Sequence, residues 1–342
     1  MENNLINNSL DPELTAGQKL MVGFEGTKLN SDLKYLISEL KIGGIVLFSQ
    51  NIQSPGQLKT LLKDIIEYAE LKKLPKLFIA IDQEGGEVAR LKKPFAIFKG
   101  NPFIRSIQDA HSHAEMQSVQ LKDLNINMNF APVLDVVPEN FKSVMAKRAL
   151  PGSAEQVAQL GCHIINKMQE CNIMAVAKHF PGIGRTDIDS HFELPIVKRD
   201  IKELFSEELI PFKKAVRAGV SGIMLSHILY PEIDDKWQAS LSVKIAKQLL
   251  RNNLNYKGLI ITDDLDMKAV QHDIKTSAEQ IMKAGIDIVL ICHKGPAIED
   301  MFKEFKTLIK KDREYEYLSN ESFKRILYMK HRFLDQQKFR HL

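Results

Sequence analysis

The sequence predicts an α/β fold, a single-domain (β/α)8 TIM barrel with extra C-terminal helices, and three observations predict it. Eight short apolar runs rich in β-branched residues recur along the chain, and stretches with apolar residues at three-and-four spacing lie between them. No Gly-x-Gly-x-x-Gly follows the first run, which disfavours the open, dinucleotide-binding alternative. Strands that alternate strictly with helices imply a parallel sheet, and eight such units between Leu20 and Ile291 fit a closed barrel.

In order, the strands are expected at Leu20 to Phe24, Gly43 to Phe48, Leu77 to Ile81, Met128 to Val133, Ile173 to Ala177, Gly222 to Leu225, Gly258 to Ile261 and Asp287 to Ile291. Amphipathic helices are expected at Pro55 to Leu71, Ala154 to Cys171, Leu204 to Ala218 and Lys275 to Ala284. After Ile291 the pattern continues as two or three helices, one of them Glu321 to Phe333, which should pack across the barrel. No repeat, low-complexity tract or Pro/Ser linker divides the 342 residues, so residues 1–342 are expected to form one domain with its core at about 15–334.

Bulk properties exclude little. The formal charge of +4 is mild, and the basic residues Lys324, Arg325, Lys330, Arg332, Lys338 and Arg340 are interleaved with apolar positions. That is the pattern of a solvated helix face, so no nucleic-acid partner is expected. The three cysteines, Cys162, Cys171 and Cys292, show no CxxC spacing and read as free thiols in a reducing compartment. The first residues carry no basic, apolar leader, and no run reaches the length of a membrane span, so the expectation is a cytoplasmic protein without membrane contact.

The strand ends carry the chemistry, as they do in barrels of this kind. Asp82-Gln83-Glu84-Gly85-Gly86 follows the third run, with Arg90 soon after, and Asp135 follows the fourth. Lys178 and His179 end the fifth, Ser226 and His227 the sixth, Thr262-Asp263-Asp264 the seventh, and His293 the eighth. Carboxylates among Lys, Arg and His suit a polyhydroxyl ligand, each of whose hydroxyls needs a donor or an acceptor. Sugar chemistry through an oxocarbenium-like transition state needs an anionic nucleophile on one face and a proton donor on the other. Asp263 is the candidate nucleophile and His191 the candidate acid. In an extended loop, Asp189 and His191 project to the same side, so Asp189 can orient the imidazole and raise its basicity.

Metal chemistry is the competing reading for Asp263, Asp264 and Asp266. Neighbouring strand residues point to opposite faces, however, so Asp263 and Asp264 are poorly placed to share an ion. His179 and His191 lack the i,i+4 spacing of the common zinc motif. Neither a metal nor an organic cofactor is expected.

The segment Lys178-His179-Phe180-Pro181-Gly182-Ile183-Gly184, followed after four residues by Asp189-Ser190-His191, resembles the signature of bacterial β-N-acetylhexosaminidases of glycoside hydrolase family 3. That signature reads Lys-His-Phe/Ile-Pro-Gly-His/Leu-Gly, four variable residues, then Asp-Ser/Thr-His. Agreement continues in order through Gly43 to Phe48, Asp82 to Gly86, Asn129 to Asp135 and Gly258 to Leu265. The resemblance spans about residues 15 to 334. It implies an exo-acting, retaining β-N-acetylglucosaminidase acting on peptidoglycan fragments, with Asp263 attacking the anomeric carbon and His191, oriented by Asp189, as acid and then base. It also implies that Asp82, Arg90, Arg148, Lys178 and His179 hold the terminal N-acetylglucosamine. Larger members carry a second domain with an acidic acid/base, for which this chain has no room.

Three departures from the family pattern carry expectations. Arg185 stands where many relatives have Asp, which would lower the pKa of His191. Arg148-Ala149-Leu150-Pro151 replaces the usual Arg-Ser-Phe-Gly, and Glu87 replaces a commonly basic position, with consequences for contacts beyond the terminal sugar. The competing functions are a glycoside phosphorylase, since an imidazole does not repel phosphate and Arg185 can attract it, a β-glucosidase, and a catalytically silent sugar-binding protein. The partner is a small carbohydrate, and a monomer is expected.

Overall fold

The computed structural model describes residues 10–188, 193–270 and 272–335. Among the described residues, ten strands occur in chain order: β1 (Leu20–Val22), β2 (Gly44–Leu47), β3 (Phe78–Ile81), β4 (Gln83–Gly85), β5 (Val88–Ala89), β6 (Met128–Asn129), β7 (Met174–Phe180), β8 (Gly222–Leu225), β9 (Leu259–Asp264) and β10 (Ile288–Ile291). Eight of them close into a parallel barrel in the order β1-β2-β3-β6-β7-β8-β9-β10, with β1 pairing β10 in the register Met21↔Leu290. This is the (β/α)8 barrel that the alternating pattern predicts. β4 and β5 form a separate antiparallel hairpin at the end of β3, which the sequence pattern does not announce because the segment is short and polar.

Two cores follow from the period-two alternation of the strands. Met21, Val46, Phe78, Ala80, Met128, Met174, Val176, Met224, Leu259, Ile261, Ile288 and Leu290 fill the barrel interior, while their neighbours Leu20, Val22, Ile45, Ile79, Ala175, Ile223, Ile260 and Val289 pack against the surrounding helices. Both faces of the barrel strands are therefore buried, except at the last two residues of β9. That explains why the runs read as continuous apolar segments rather than alternating ones.

The helices are α1 (Pro12–Gln18), α2 (Ser31–Ser38), α3 (Pro55–Leu71), α4 (Ile107–Asp123), α5 (Ala154–Glu170), α6 (Ile201–Ser206), α7 (Leu209–Arg217), α8 (Ile274–Lys283), α9 (Pro296–Lys311) and α10 (Arg313–Leu334), with a π-type helix over Val243–Asn253. Side-chain caps start many of them: Ser54 accepts from Gln57 N–H, Ser106 and Ser153 form capping boxes, and Asp273 accepts from Thr276 N–H. The helix expected over Leu204 to Ala218 is instead two. Pro211 has no N–H to donate and falls in the first turn of α7, so the chain breaks at Glu207–Glu208 and restarts. α10 places Ile326, Met329 and Phe333 against the interior core and closes the N-terminal end of the barrel, as the C-terminal helical pattern suggests. Among the described residues, no helix is long and apolar enough to cross a membrane.

Three strand ends differ from the sequence reading by three or more residues. The fourth strand ends at Asn129 because Pro132 lacks a ladder donor, and pairing resumes only as a single bridge between Val133 and Lys178. The fifth and seventh extend through Phe180 and Asp264. An apolar-run criterion stops at the first charge, whereas backbone pairing continues: Lys178 N–H donates to Pro132 O, and Lys178 O accepts from Leu134 N–H at 2.7 Å.

Candidate active site

Interior parity decides what faces the C-terminal mouth. Continuing the inward positions by two residues gives Phe48 after Val46, Asp82 after Ala80, Lys178 after Val176, Ser226 after Met224, Asp263 after Ile261 and Cys292 after Leu290. All six line one cavity of ≈ 320 Å³, together with Glu87, Arg90, Arg148, His179, Ile183, His227 and Asp264. Its base is the interior core itself, through Val46, Phe130, Met224 and Leu290. The cavity is therefore a blind well at the end of the barrel where barrel enzymes keep their active sites.

A buried ion network forms one wall. Lys178 Nζ lies 2.7 Å from Asp82 Oδ1 and 2.8 Å from Glu84 Oε1. Arg148 binds Glu84 through Nη2 at 2.6 Å and Nε at 3.1 Å, and Arg90 Nη2 reaches Asp82 Oδ2 at 3.2 Å over the face of Phe48. Burial opposes ionisation of both carboxylates, but Lys178 and Arg90 hold Asp82, and Lys178 and Arg148 hold Glu84, below the usual carboxylate range. Burial likewise opposes the charge on Lys178, and its two carboxylates overcome that and raise its pKa. The β4–β5 hairpin is fixed from behind by Asn129, which accepts from Gln83 N–H and donates to Gln83 O, while Gln83 Oε1 accepts from the Arg90 and Leu91 N–H groups.

The Lys178-His179 signature then turns away under a second set of restraints. Asp135, fully buried, accepts from His179 Nδ1 at 2.8 Å and from the backbone N–H groups of His179 and Ile183 at 3.3 and 2.8 Å. The ring orientation of His179 is thus set by Asp135. Two glycines are sterically required here. Gly182 has φ +131°, and a Cβ on Gly184 would lie 1.8 Å from the Val136 carbonyl oxygen. Tyr230 Oη donates to Gly182 O at 2.6 Å and pins the turn.

Across the well, Asp263 and Asp264 end β9. Asp263 Oδ1 accepts from Asp264 N–H at 2.9 Å. Asp264 Oδ1 accepts from Asp266 N–H and Cys292 N–H, and burial pushes its carboxyl up to about 6. Both residues line the cavity, and the β9–β10 register shifts between Ile288 and Leu290. A group of possible metal-ligating side chains among the described residues comprises Asp264, Asp266 and His293, with ligand atoms within 4.8 Å of one another, and does not include Asp263. Its carboxylates also accept from backbone N–H groups, Asp264 Oδ1 from Cys292 and Asp266 Oδ2 from His293 at 2.8 Å.

Asp82, Arg90, Arg148, Lys178, His179 and Asp263 thus share one cavity, while Asp189 and His191 lie outside the described residues. Arg148 reaches the wall despite its altered neighbours. Arg185 does not behave as a free cation beside the Asp189-Ser190-His191 segment: Nε donates to Glu208 at 2.8 Å and Nη2 is bonded to Glu207. Arg199 reaches the same two carboxylates at 3.3 and 3.4 Å. These pairings offset the Arg185 charge, while His191, whose pKa it was expected to lower, lies outside the described residues. Glu87 faces Lys147 at 2.8 Å on the rim.

Sequence reasoning left Glu84, Asp135 and His227 out of the site, although each stands at a strand end that it singled out. Glu84 alternates with Asp82 in Asp-Gln-Glu, a signal that would have found it. Nothing local marks Glu208, which reaches Arg185 only through the fold.

Comparison with known proteins agrees with this geometry. Residues 13–329 match the glycosyl hydrolase family 3 N-terminal domain. A β-hexosaminidase of Nitrosomonas eutropha is 33% identical over 293 residues, 82% of each chain. Among solved structures, a glycoside hydrolase family 3 β-N-acetylglucosaminidase from Paenibacillus sp. superposes with TM-score 0.90 at 33% identity over 94% of this chain, which spans 62% of that longer one. NagZ of Neisseria gonorrhoeae, solved with N-trifluoroacetyl-D-glucosamine, superposes with TM-score 0.75 at 27% identity, covering 91% of this chain and 98% of that one. The barrel, its mouth and these relatives agree: the chain belongs to glycosyl hydrolase family 3 and is a glycoside hydrolase of that family.

Proposed function

We propose that the protein is an exo-acting, retaining β-N-acetylglucosaminidase that removes nonreducing terminal N-acetylglucosamine from peptidoglycan fragments in the cytoplasm, with no metal or organic cofactor. The observation that carries this reading is the placement of Asp263 opposite Asp82, Arg90, Arg148, Lys178 and His179 in one blind cavity of ≈ 320 Å³. That volume sits at the small end for ligand sites and suits one sugar ring, which is what an exo enzyme must enclose. Lys178 and Arg148, which line the cavity, keep their charges, which suits the binding of sugar hydroxyls.

Asp263 attacks the anomeric carbon as the glycosidic bond breaks, and the leaving oxygen takes a proton from His191, which Asp189 orients. Water then gives its proton to His191 and attacks the same carbon, releasing Asp263. Two inversions restore the configuration. The phosphorylase alternative loses the support of Arg185, which is paired with Glu207 and Glu208, and keeps that of the imidazole, which does not repel phosphate.

The test is the initial rate on p-nitrophenyl β-N-acetylglucosaminide with EDTA-treated protein in phosphate-free buffer, with Asp263→Asn in parallel. Turnover by the wild type alone is expected, with the variant still binding sugar. Strict dependence on added phosphate would replace hydrolysis with phosphorolysis. Preference for the aryl glucoside would make the enzyme a β-glucosidase. No turnover of any of these would leave a binding protein.

A further inference from the structure

His227 lies two residues beyond the end of β8, is 1% exposed and lines the cavity, yet its ring is aimed at the protein. Nε2 lies 2.8 Å from the backbone carbonyl oxygen of Asp264, and Nδ1 lies 2.6 Å from Ser240 Oγ. A carbonyl oxygen can only accept, so Nε2 carries the hydrogen, while Nδ1 faces the Ser240 hydroxyl and, at 3.4 Å, Gln238 Nε2. Ser240 is itself anchored, its N–H donating to Ser226 O at 3.0 Å. The imidazole is therefore a fixed strut from β8 to residue 264.

Residue 264 is where such a strut matters. The β8–β9 ladder ends at Leu225↔Thr262, whereas β10 still pairs at Leu290↔Asp264. Beyond Thr262, the His227 bond continues the tie on the β8 side. The N–H of the same residue holds Asp263 Oδ1 at 2.9 Å, so a shift of the backbone at 264 moves the carboxylate that faces the cavity.

We infer that His227, locked by Ser240, is a positioning residue for the nucleophile: by holding the Asp264 carbonyl it sets the backbone whose N–H aims Asp263. This rests on the reading of Asp263 as nucleophile. Both ring nitrogens face protein partners, and the experiment separates positioning from proton transfer.

The experiment compares the full-length wild type with His227→Leu, His227→Gln and Ser240→Ala. Two readouts are used: steady-state kinetics on p-nitrophenyl β-N-acetylglucosaminide, and the rate and site of labelling by the 5-fluoro glycosyl fluoride of N-acetylglucosamine, located by peptide mass spectrometry. His227→Leu should lower kcat and the labelling rate together by about 10²-fold, the loss that roughly 1 Å of misplacement causes, with KM nearly unchanged. His227→Gln keeps an N–H for the carbonyl but has no proton to exchange, and should recover to within about tenfold of wild type, less than the loss expected of a general acid or base. Ser240→Ala should fall between them. Equal losses in His227→Gln and His227→Leu would overturn the inference in favour of a proton-transfer role, and a loss confined to KM would overturn it in favour of substrate contact. If His227→Leu does not fold by circular dichroism, the Gln variant decides: near-native kcat supports the strut and loss of activity refutes it. A label on a residue other than Asp263 would instead defeat the nucleophile assignment, and the inference with it.

Discussion

Lys178 at the mouth of the barrel and Lys330 at its floor are both buried, and they have opposite electrostatic fates. Lys178 lies between the Asp82 and Glu84 carboxylates, which raise its pKa against the effect of burial. Lys330 donates to Gln18 Oε1 at 2.6 Å and Gly43 O at 2.9 Å over the ring of Phe78, with no carboxylate paired to it among the described residues, and burial lowers it to about 7. Lys19, bonded to Ile286 O and Ser322 Oγ, is lowered to about 7 in the same way, although Asp287 opposes the shift. The floor uses lysine as a hydrogen-bonding plug that docks α10 under β1 and β2. The mouth keeps lysine as a charge, because charge is what a site for polar ligands needs.

The largest test of that contrast is a matched pair of substitutions. Lys178→Met leaves two buried carboxylates short of a cation and should destabilise the fold by about 3–5 kcal/mol in urea unfolding while abolishing turnover. Lys330→Met, which replaces a plug with an apolar one, should be neutral or stabilising near pH 6. Equal costs for the two would erase the distinction.

A second measurement sharpens it through pH. A lysine lowered to about 7 when folded, against 10.5 when unfolded, leaves the unfolded chain binding more protons between those values. Stability therefore rises with pH across that window. The penalty of charging the buried amine is fully present below about 7. The Lys330→Met variant should show a shallower rise than wild type in thermal midpoints measured from pH 7 to 10, and parallel curves would mean that Lys330 is charged in the folded protein.

Smaller effects are expected nearer the rim. Arg185→Ala should leave the pH–rate profile where it is, because the guanidinium is already matched by Glu207 and Glu208. A shifted limb would restore the direct influence on His191. Lys147→Ala removes only the exposed partner of Glu87 and should leave the unfolding midpoint unchanged, since solvent screens such pairs.

Much of this was legible in the chain. Buried parallel strands must be apolar on both faces, so the eight runs stand out, and strand ends must carry the polar groups of a barrel's mouth, so Asp82, Lys178, His179 and Asp263 were found by position. Lengths were less legible, because Lys178 and Asp264 stay within strands by backbone pairing that side-chain polarity conceals.

The sequence by itself determined the barrel, its strand order and the end at which the site lies, because these follow from local periodicity and from the handedness of parallel connections. Only the tertiary structure decided which charges cancel. Glu208 commits Arg185 from 23 residues away, Asp82 meets Lys178 across 96, and Lys330 reaches Gln18 across 312. Electrostatic character depends on distance and burial in space, and neither is written in spacing along the chain.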